Sequence, residues 1–312
     1  MRRPWPKAAK PAKRSAGRSD GHSFDRFAAE ALPAFERGLS RALPPASDRA
    51  PNLSRAISEA VLSPGKRFRP LVAIAAGELV RAPREAAAAI AVAVEYLHAA
   101  SLVLDDLPSM DDARRRRGRP ALHLVHGVAT AELAAVALIA RAFELASSAP
   151  ATTARTRSRV VEELSRAIGA EGCCAGQAAD LAADPSGLTL EDLEAIHSRK
   201  TGALFVAAVR GGALAGGAGE ETLEALTLFA RNLGLAFQIT DDLLDLTGSP
   251  QRMGKDTHRD AHRANFATLF GEPSSRRLVE ELLEASVAAL APLGRKAAVL
   301  ADLARVVRDR QR

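Results

Sequence analysis

Residues 86–104 read AAAAIAVAVEYLHAASLVL, a run long and apolar enough to need protection from water along its whole length. Such a run either crosses a bilayer or forms the central helix of a helical protein. Glu95 and His98 interrupt it and aspartates end it, which is costly in lipid. The run is therefore expected to be a core helix, not a membrane span. A helix apolar on all sides demands other helices around it.

The rest of the chain supplies them. Alanine, leucine and arginine are strong helix formers, aromatic residues make up only 4% of the 312 positions, and extended β-branched runs are absent. Helical periodicity predicts helices over 24–42, 50–62, 66–81, 84–107, 128–148, 153–182, 189–214, 219–247, 255–270, 274–291 and 295–310. Breakers separate them, among them Pro44-Pro45, Ser63-Pro64-Gly65 and Asp184-Pro185-Ser186-Gly187. No repeat and no long interior linker divides the chain. The expected fold is all-α, one large helical domain over 23–312 around a central cavity.

Residues 1–22 stand apart. They carry seven Lys/Arg against the single acid Asp20, so this tail alone holds a balance of +6, equal to the net charge of the whole chain. The remainder is near neutral and offers no nucleic-acid footprint. The tail lacks apolar periodicity, and a disordered basic extension is expected. The only cysteines, Cys173 and Cys174, are adjacent, which suits a reducing cytoplasm better than a disulfide framework.

The central run ends in DDLPSMDDARRRRGRP, residues 105–120. On a straight helix Asp111 would point about 140° from Asp106. Pro108 denies that helix, and a turn could return Asp111 beside Asp105 and Asp106. Three carboxylates around one point would suit a hard cation such as Mg²⁺. A second cluster lies in FQITDDLLD, residues 237–245, where Asp241 and Asp245 share a helix face and Asp242 lies three before Asp245. One such cluster reads as a salt-bridge network; two suggest carboxylate walls across a cavity. Carboxylates with Mg²⁺ commonly receive phosphates, which also attract Lys and Arg. Lys66, Arg67 and Arg69, Arg114 to Arg117 with Arg119, Lys200 and Lys255 are the candidate cations.

These segments resemble the trans-prenyltransferases of the polyprenyl diphosphate synthase family, bacterial geranylgeranyl-type members above all. The similarity covers about residues 50–271: GKRFRP (65–70), EYLHAASLVLDDLPSMDD with RRGRPALH (95–123), GQAADL (176–181), KTGALF (200–205), FQITDDLLD (237–245), and GKDTHRD with RANFATLFG (254–271). Any one motif is weak; six in order are specific. The resemblance implies that Asp105, Asp106, Asp111, Asp241, Asp242 and Asp245 hold three Mg²⁺ on an allylic diphosphate. It implies that Lys66, Arg69, His98 and Arg117 contact isopentenyl diphosphate. Arg116, Lys200, Thr201, Gln238 and Lys255 match contacts to the allylic substrate. It further implies a homodimer, head-to-tail condensation of the two substrates, and Asp105, Asp111, Asp241 and Lys200 as the catalytic group.

Ser101 and Ala100, four and five residues before Asp105, are small. Members that stop at fifteen carbons typically carry an aromatic at the fifth position, so a longer, geranylgeranyl product is expected. Farnesyl and geranylfarnesyl diphosphate remain alternative products. Departures from the pattern include Pro64 for glycine and Ala135-Val136 for Gly-Asp, and none removes a metal ligand. A terpene cyclase would lack GKRFRP and the second DDxxD, and a non-catalytic partner subunit would lose aspartates.

Overall fold

The computed structural model describes residues 23–184, 187–247 and 265–309. The chain there is helical throughout except for one small hairpin. Helices α1 (Ser23–Arg41), α2 (Pro51–Leu62) and α3 (Phe68–Leu79) lead into α4 (Arg84–Asp105). Strands β1 (Arg115–Arg116) and β2 (Arg119–Pro120) follow, then α5 (Leu122–His126), α6 (Val128–Ser147), α7 (Ala154–Ile168) and α8 (Cys173–Ala182). Helix α9 (Leu190–His197) runs through a π-helical turn, Ser198–Gly202, into α10 (Ala203–Ala215). The rest comprises α11 (Glu220–Thr247), α12 (Phe266–Phe270), α13 (Glu272–Ala289), a 3₁₀ turn at Ala291–Ala297, and α14 (Ala298–Asp309).

Helix α4 is the central element, as its composition demands. It packs against α3, α6 and α10, with further contacts to α1 and α2. Ile90, Ala91, Ala93, Val94, Tyr96, Leu97 and Ala100 are all fully enclosed. Its length and hydropathy would let it cross a membrane, but that surface is spent on neighbouring helices. Small residues let those helices approach closely: a Cβ on Gly212 of α10 would stand 2.0 Å from the Ala73 carbonyl of α3. The second long apolar helix, α11, packs on α10 and α13. One continuous core runs from Phe24 to Val307.

Local caps set several helix starts. Thr153 accepts from the Thr156 amide at the head of α7, and Thr189 with Asp192 forms a capping box on α9. The structure departs from the expected helices in four places. The helix predicted over 153–182 is two, α7 and α8, because the chain reverses tightly over 169–172; the Gly172 amide bonds the Gly169 carbonyl at 3.1 Å. The helix predicted over 189–214 contains the π turn. Helix α3 begins only at Phe68, since Arg67 is left-handed at φ 48°. The arginine run forms a hairpin that periodicity did not foresee, with Arg117 (φ 52°) and Gly118 (φ 77°) as its two-residue turn. Two successive positive φ values are what a type I′ hairpin turn requires. Of the helix predicted over 255–270, Phe266–Phe270 lies within the described residues.

Candidate functional site

Helix α4 ends at Asp105, with Asp106 as its C-cap. Pro108 prevents its continuation, and the next residues fold back on the helix end. The Asp111 amide donates to the Asp105 carbonyl at 2.9 Å, and the Ala113 amide to that of Asp106 at 3.2 Å. Asp111 is thus returned to Asp105, as the spacing and Pro108 suggested. The carboxyls do not all turn to one point, however. Asp106 is buried and accepts two hydrogen bonds from Arg116, the Nε one at 2.8 Å. Within the same stretch, then, an arginine neutralises one aspartate while Asp105 and Asp111 face each other's charge.

Burial pushes the Asp105 carboxyl up to about 6; Lys200 and Arg116 oppose the shift, and Asp111 and Asp106 add to it. No group of three or more His, Cys, Asp or Glu side chains among the described residues is gathered closely enough to hold an ion unaided. That corrects the picture of three carboxylates around one point. It suits Mg²⁺ none the less, which keeps waters and takes one or two carboxylates together with substrate phosphate oxygens. The donors at hand are all hard oxygens, and burial, with the charges of Asp111 and Asp106 added to it, leaves ionised Asp105 in need of a cation. The residues fit the ion.

Cations collect on the other side of the α4 terminus. His98, two turns before Asp105, has Nε2 3.4 Å from Nη1 of Arg69 and 3.4 Å from Nη2 of Arg117. Burial first, then Arg69 and Arg117, hold the imidazole well below its usual range, so it is neutral. The Arg69 guanidinium lies over the Phe205 ring at 4.5 Å and within 6.0 Å of that of Phe237. Its buried Nε has no hydrogen-bond partner among the described residues. Lys66 is exposed beside this group. Arg67, expected among the phosphate-binding cations, is not one of them. It is buried in ion pairs with Glu95 and Glu36.

The second acidic cluster lies toward the C-terminal end of α11. Asp242 accepts from Gln238 Nε2 at 2.9 Å and from the Phe266 amide at 3.3 Å. Thr201, on the π turn, donates to Gln238 Oε1 at 2.8 Å. Its neighbour Lys200 is bonded to Asp180 of α8 at 2.6 Å and is the strongest cationic influence on Asp105. Two neighbours on one π-helical turn thus address the two acidic ends: Lys200 acts on Asp105 by its charge, and Thr201 reaches Asp242 through Gln238. The Asp241 charge is felt by Arg69, which links this end to the cation group. Lys255 and the side chain of Asp245 lie outside the described residues.

The structure thus brings together Asp105, Asp106, Asp111, Arg116, Lys200, Thr201, Gln238, Asp241 and Asp242, with Arg69, His98 and Arg117 alongside. Ala100 is fully enclosed and Ser101 turns its hydroxyl to the His98 carbonyl at 3.0 Å. Sequence reasoning missed two contributors. Asp180, given no role from the sequence, holds Lys200, and Glu95, which there only interrupts an apolar run, pairs with Arg67. Two surface concavities, of about 250 and 440 Å³, are lined by none of these residues.

Comparison with known proteins identifies the family. Residues 50–284 match the family model described as polyprenyl synthetase. The chain is 39% identical to geranylgeranyl pyrophosphate synthase 4 of Arabidopsis thaliana, over 84% of this chain and 72% of that one. It is 40% identical to a chloroplastic geranylfarnesyl diphosphate synthase of Leucosceptrum canum, over 83% and 72%. Among solved structures it resembles an FPP/GFPP synthase from Zymomonas mobilis, with a TM-score of 0.82 and 32% identity, covering 91% of this chain and 98% of the other. A geranyltransferase from Helicobacter pylori, solved with magnesium and isoprenyl diphosphate, gives 0.82 and 31%, covering 94% and 98%. The helical fold, the ordered motifs and these matches agree: the chain belongs to the polyprenyl synthetase family and is a trans-prenyltransferase.

Proposed function

We propose that the chain condenses isopentenyl diphosphate head-to-tail with an allylic diphosphate, yielding mainly geranylgeranyl diphosphate. The observation that carries the reading is one π turn whose Lys200 acts on Asp105 and whose Thr201 is bonded through Gln238 to Asp242, with a separate arginine group alongside. That arrangement offers two distinct places for two diphosphates. Asp105, Asp111 and Asp241, with Asp106, Asp242 and Asp245, would hold Mg²⁺, three ions by family resemblance. When bound, the ions supply positive charge to the departing diphosphate. Lys200, Thr201, Gln238, Arg116 and Lys255 orient the allylic diphosphate. Arg69, Arg117, Lys66 and neutral His98 receive isopentenyl diphosphate. The allylic C–O bond ionises, the isopentenyl double bond attacks the cation, and a proton leaves to the released diphosphate. Preorganised donors that need not rearrange as charge develops are the chain's main contribution.

Product length is read along α4. Ala100 lies about 7.5 Å behind Asp105 along the helix axis, fully enclosed and too small to stop a growing hydrocarbon. Tyr96 lies one turn further back on the same face, also fully enclosed. Ala100→Phe should put an aromatic ring across the path of the growing chain and shift the main product toward fifteen carbons. Chromatography of dephosphorylated products from labelled isopentenyl and farnesyl diphosphates tests this. Farnesol as the main wild-type species, or an unchanged product in the variant, would defeat the length argument.

The working form is a homodimer. Leu124, Val125, Val128, Leu133 and Val136 of α5 and α6 are exposed, Val136 by 62%. Clustered apolar side chains of this kind mark an association surface. Sedimentation should give twice the chain mass at micromolar concentration, and Val136→Glu should shift it to monomer. Both cysteines are free thiols, in keeping with the cytoplasmic setting proposed for it.

A further inference from the structure

Arg67 is 4% exposed and Glu95 2%, and their side chains are joined Nη1 to Oε1 at 2.5 Å. An ion pair this deep is weak evidence of stabilisation, because desolvating both charges offsets most of their attraction. Arg67 also has left-handed backbone, at φ 48°, a conformation unfavourable for a residue with a side chain. Two costs at one residue ask what the pair accomplishes.

Its reach suggests the answer. Arg67 Nε donates to Glu36 of α1 at 2.8 Å and Nη2 to the Val61 carbonyl of α2 at 3.3 Å, while Nη1 grips Glu95 of α4. The loop 63–67 is thereby fixed to three helices. Lys66 immediately precedes the anchor, and Arg69 follows in the first turn of α3. Arg117 docks on the same loop, Nη1 facing the Ser63 carbonyl at 3.4 Å and the guanidinium lying against Gly65. Glu95 sits three residues before His98 on one face of α4, and its charge is also felt by Arg117 and Arg69. One buried carboxylate thus serves three arginines, two of which converge on His98.

Resting on the reading that Arg69, Arg117 and His98 receive isopentenyl diphosphate, we propose that Arg67 and Glu95 are positioning residues for that substrate. The pair fixes the loop and supplies the counter-charge that lets two further arginines stand together before the diphosphate arrives. It touches neither substrate, and it does not serve the allylic site at the π turn.

Steady-state kinetics in both substrates tests this, with Glu95→Gln and with Arg67→Met/Glu95→Met. The double variant replaces both charges by apolar groups of similar volume, a change that buried pairs often tolerate. The KM for isopentenyl diphosphate should rise about tenfold or more in each, with the KM for the allylic diphosphate within about threefold of wild type, a loss of ground-state binding at one site only. The double variant should melt within a few degrees of wild type. A lowered melting temperature with both KM values raised alike would mean a purely structural role and overturn the proposal. An unchanged isopentenyl KM in the folded double variant would overturn it too. Failure of the wild type to condense the two substrates would sink the substrate reading itself.

Discussion

Asp105→Asn and Asp241→Asn should each lower condensation by at least about 10²-fold, the loss typical when one preorganised charge-stabilising group is removed. Neither change should disturb the fold. Asparagine has the shape of aspartate, and Asp105 contributes no packing that its amide could not. Its carboxyl is pushed up to about 6, chiefly by burial, so above that pH the ionised form is a net cost to the free protein. That cost disappears as pH falls through about 6, because the folded state then binds the proton more readily than the unfolded chain. At pH 8, without metal, Asp105→Asn should therefore melt no lower than wild type. Circular dichroism melts beside a radiolabel transfer assay check both statements. Near-normal turnover in either variant would remove that aspartate from the reacting site.

Gly176→Ala should be nearly as damaging for a different reason. A Cβ at Gly176 would stand 2.2 Å from the Lys200 nitrogen and 2.6 Å from its Cα, both backbone atoms. Backbone cannot turn aside as a side chain can, so α8 and the π turn must separate. Overpacking of this kind costs about 1–3 kcal/mol. The shift falls on the turn that presents Lys200 and Thr201, where a displacement of about 1 Å can cost 10²-fold in rate. Gly219→Ala is the control, since a Cβ there meets nothing within 4 Å. Equal activity and melting temperature in the two variants would show that the close approach is relaxed without consequence.

Much of this was legible in the sequence, and the reasons differ by element. Helix α4 announced itself because a run of alanine, valine and leucine can only be satisfied from all sides. The aspartates announced themselves because acids at the end of such a run need partners. The return of Asp111 to Asp105 followed from Pro108. What stayed hidden depends on contacts between distant segments. Arg67 looks no different from Arg69 in GKRFRP, yet one faces inward to Glu95 and the other lies over Phe205. That choice is made by the left-handed backbone at 67, which no periodicity reveals. That Asp106 is engaged by Arg116 in the free protein could not be read from the sequence, where it looks no different from Asp105. The break between α7 and α8 was masked because the helical pattern resumes in phase after four residues. The hairpin was hidden inside a run of arginines that reads as solvated charge.

The turn Ser198–Gly202 bears on how such a site persists through mutation. A π turn holds one residue more than the α-helical turn it replaces, and each residue of helix rotates the chain by about 100°. Lys200 and Thr201 lie within that wide turn, so the directions they take depend on its extra residue. Removing one residue would close the wide turn into regular α-helix, leaving α9 and α10 in line but abolishing the bulge from which Lys200 and Thr201 project. The change that heals the helix is the one that dismantles the site. At this turn, selection for stability and selection for catalysis oppose each other, and the extra residue records which has prevailed.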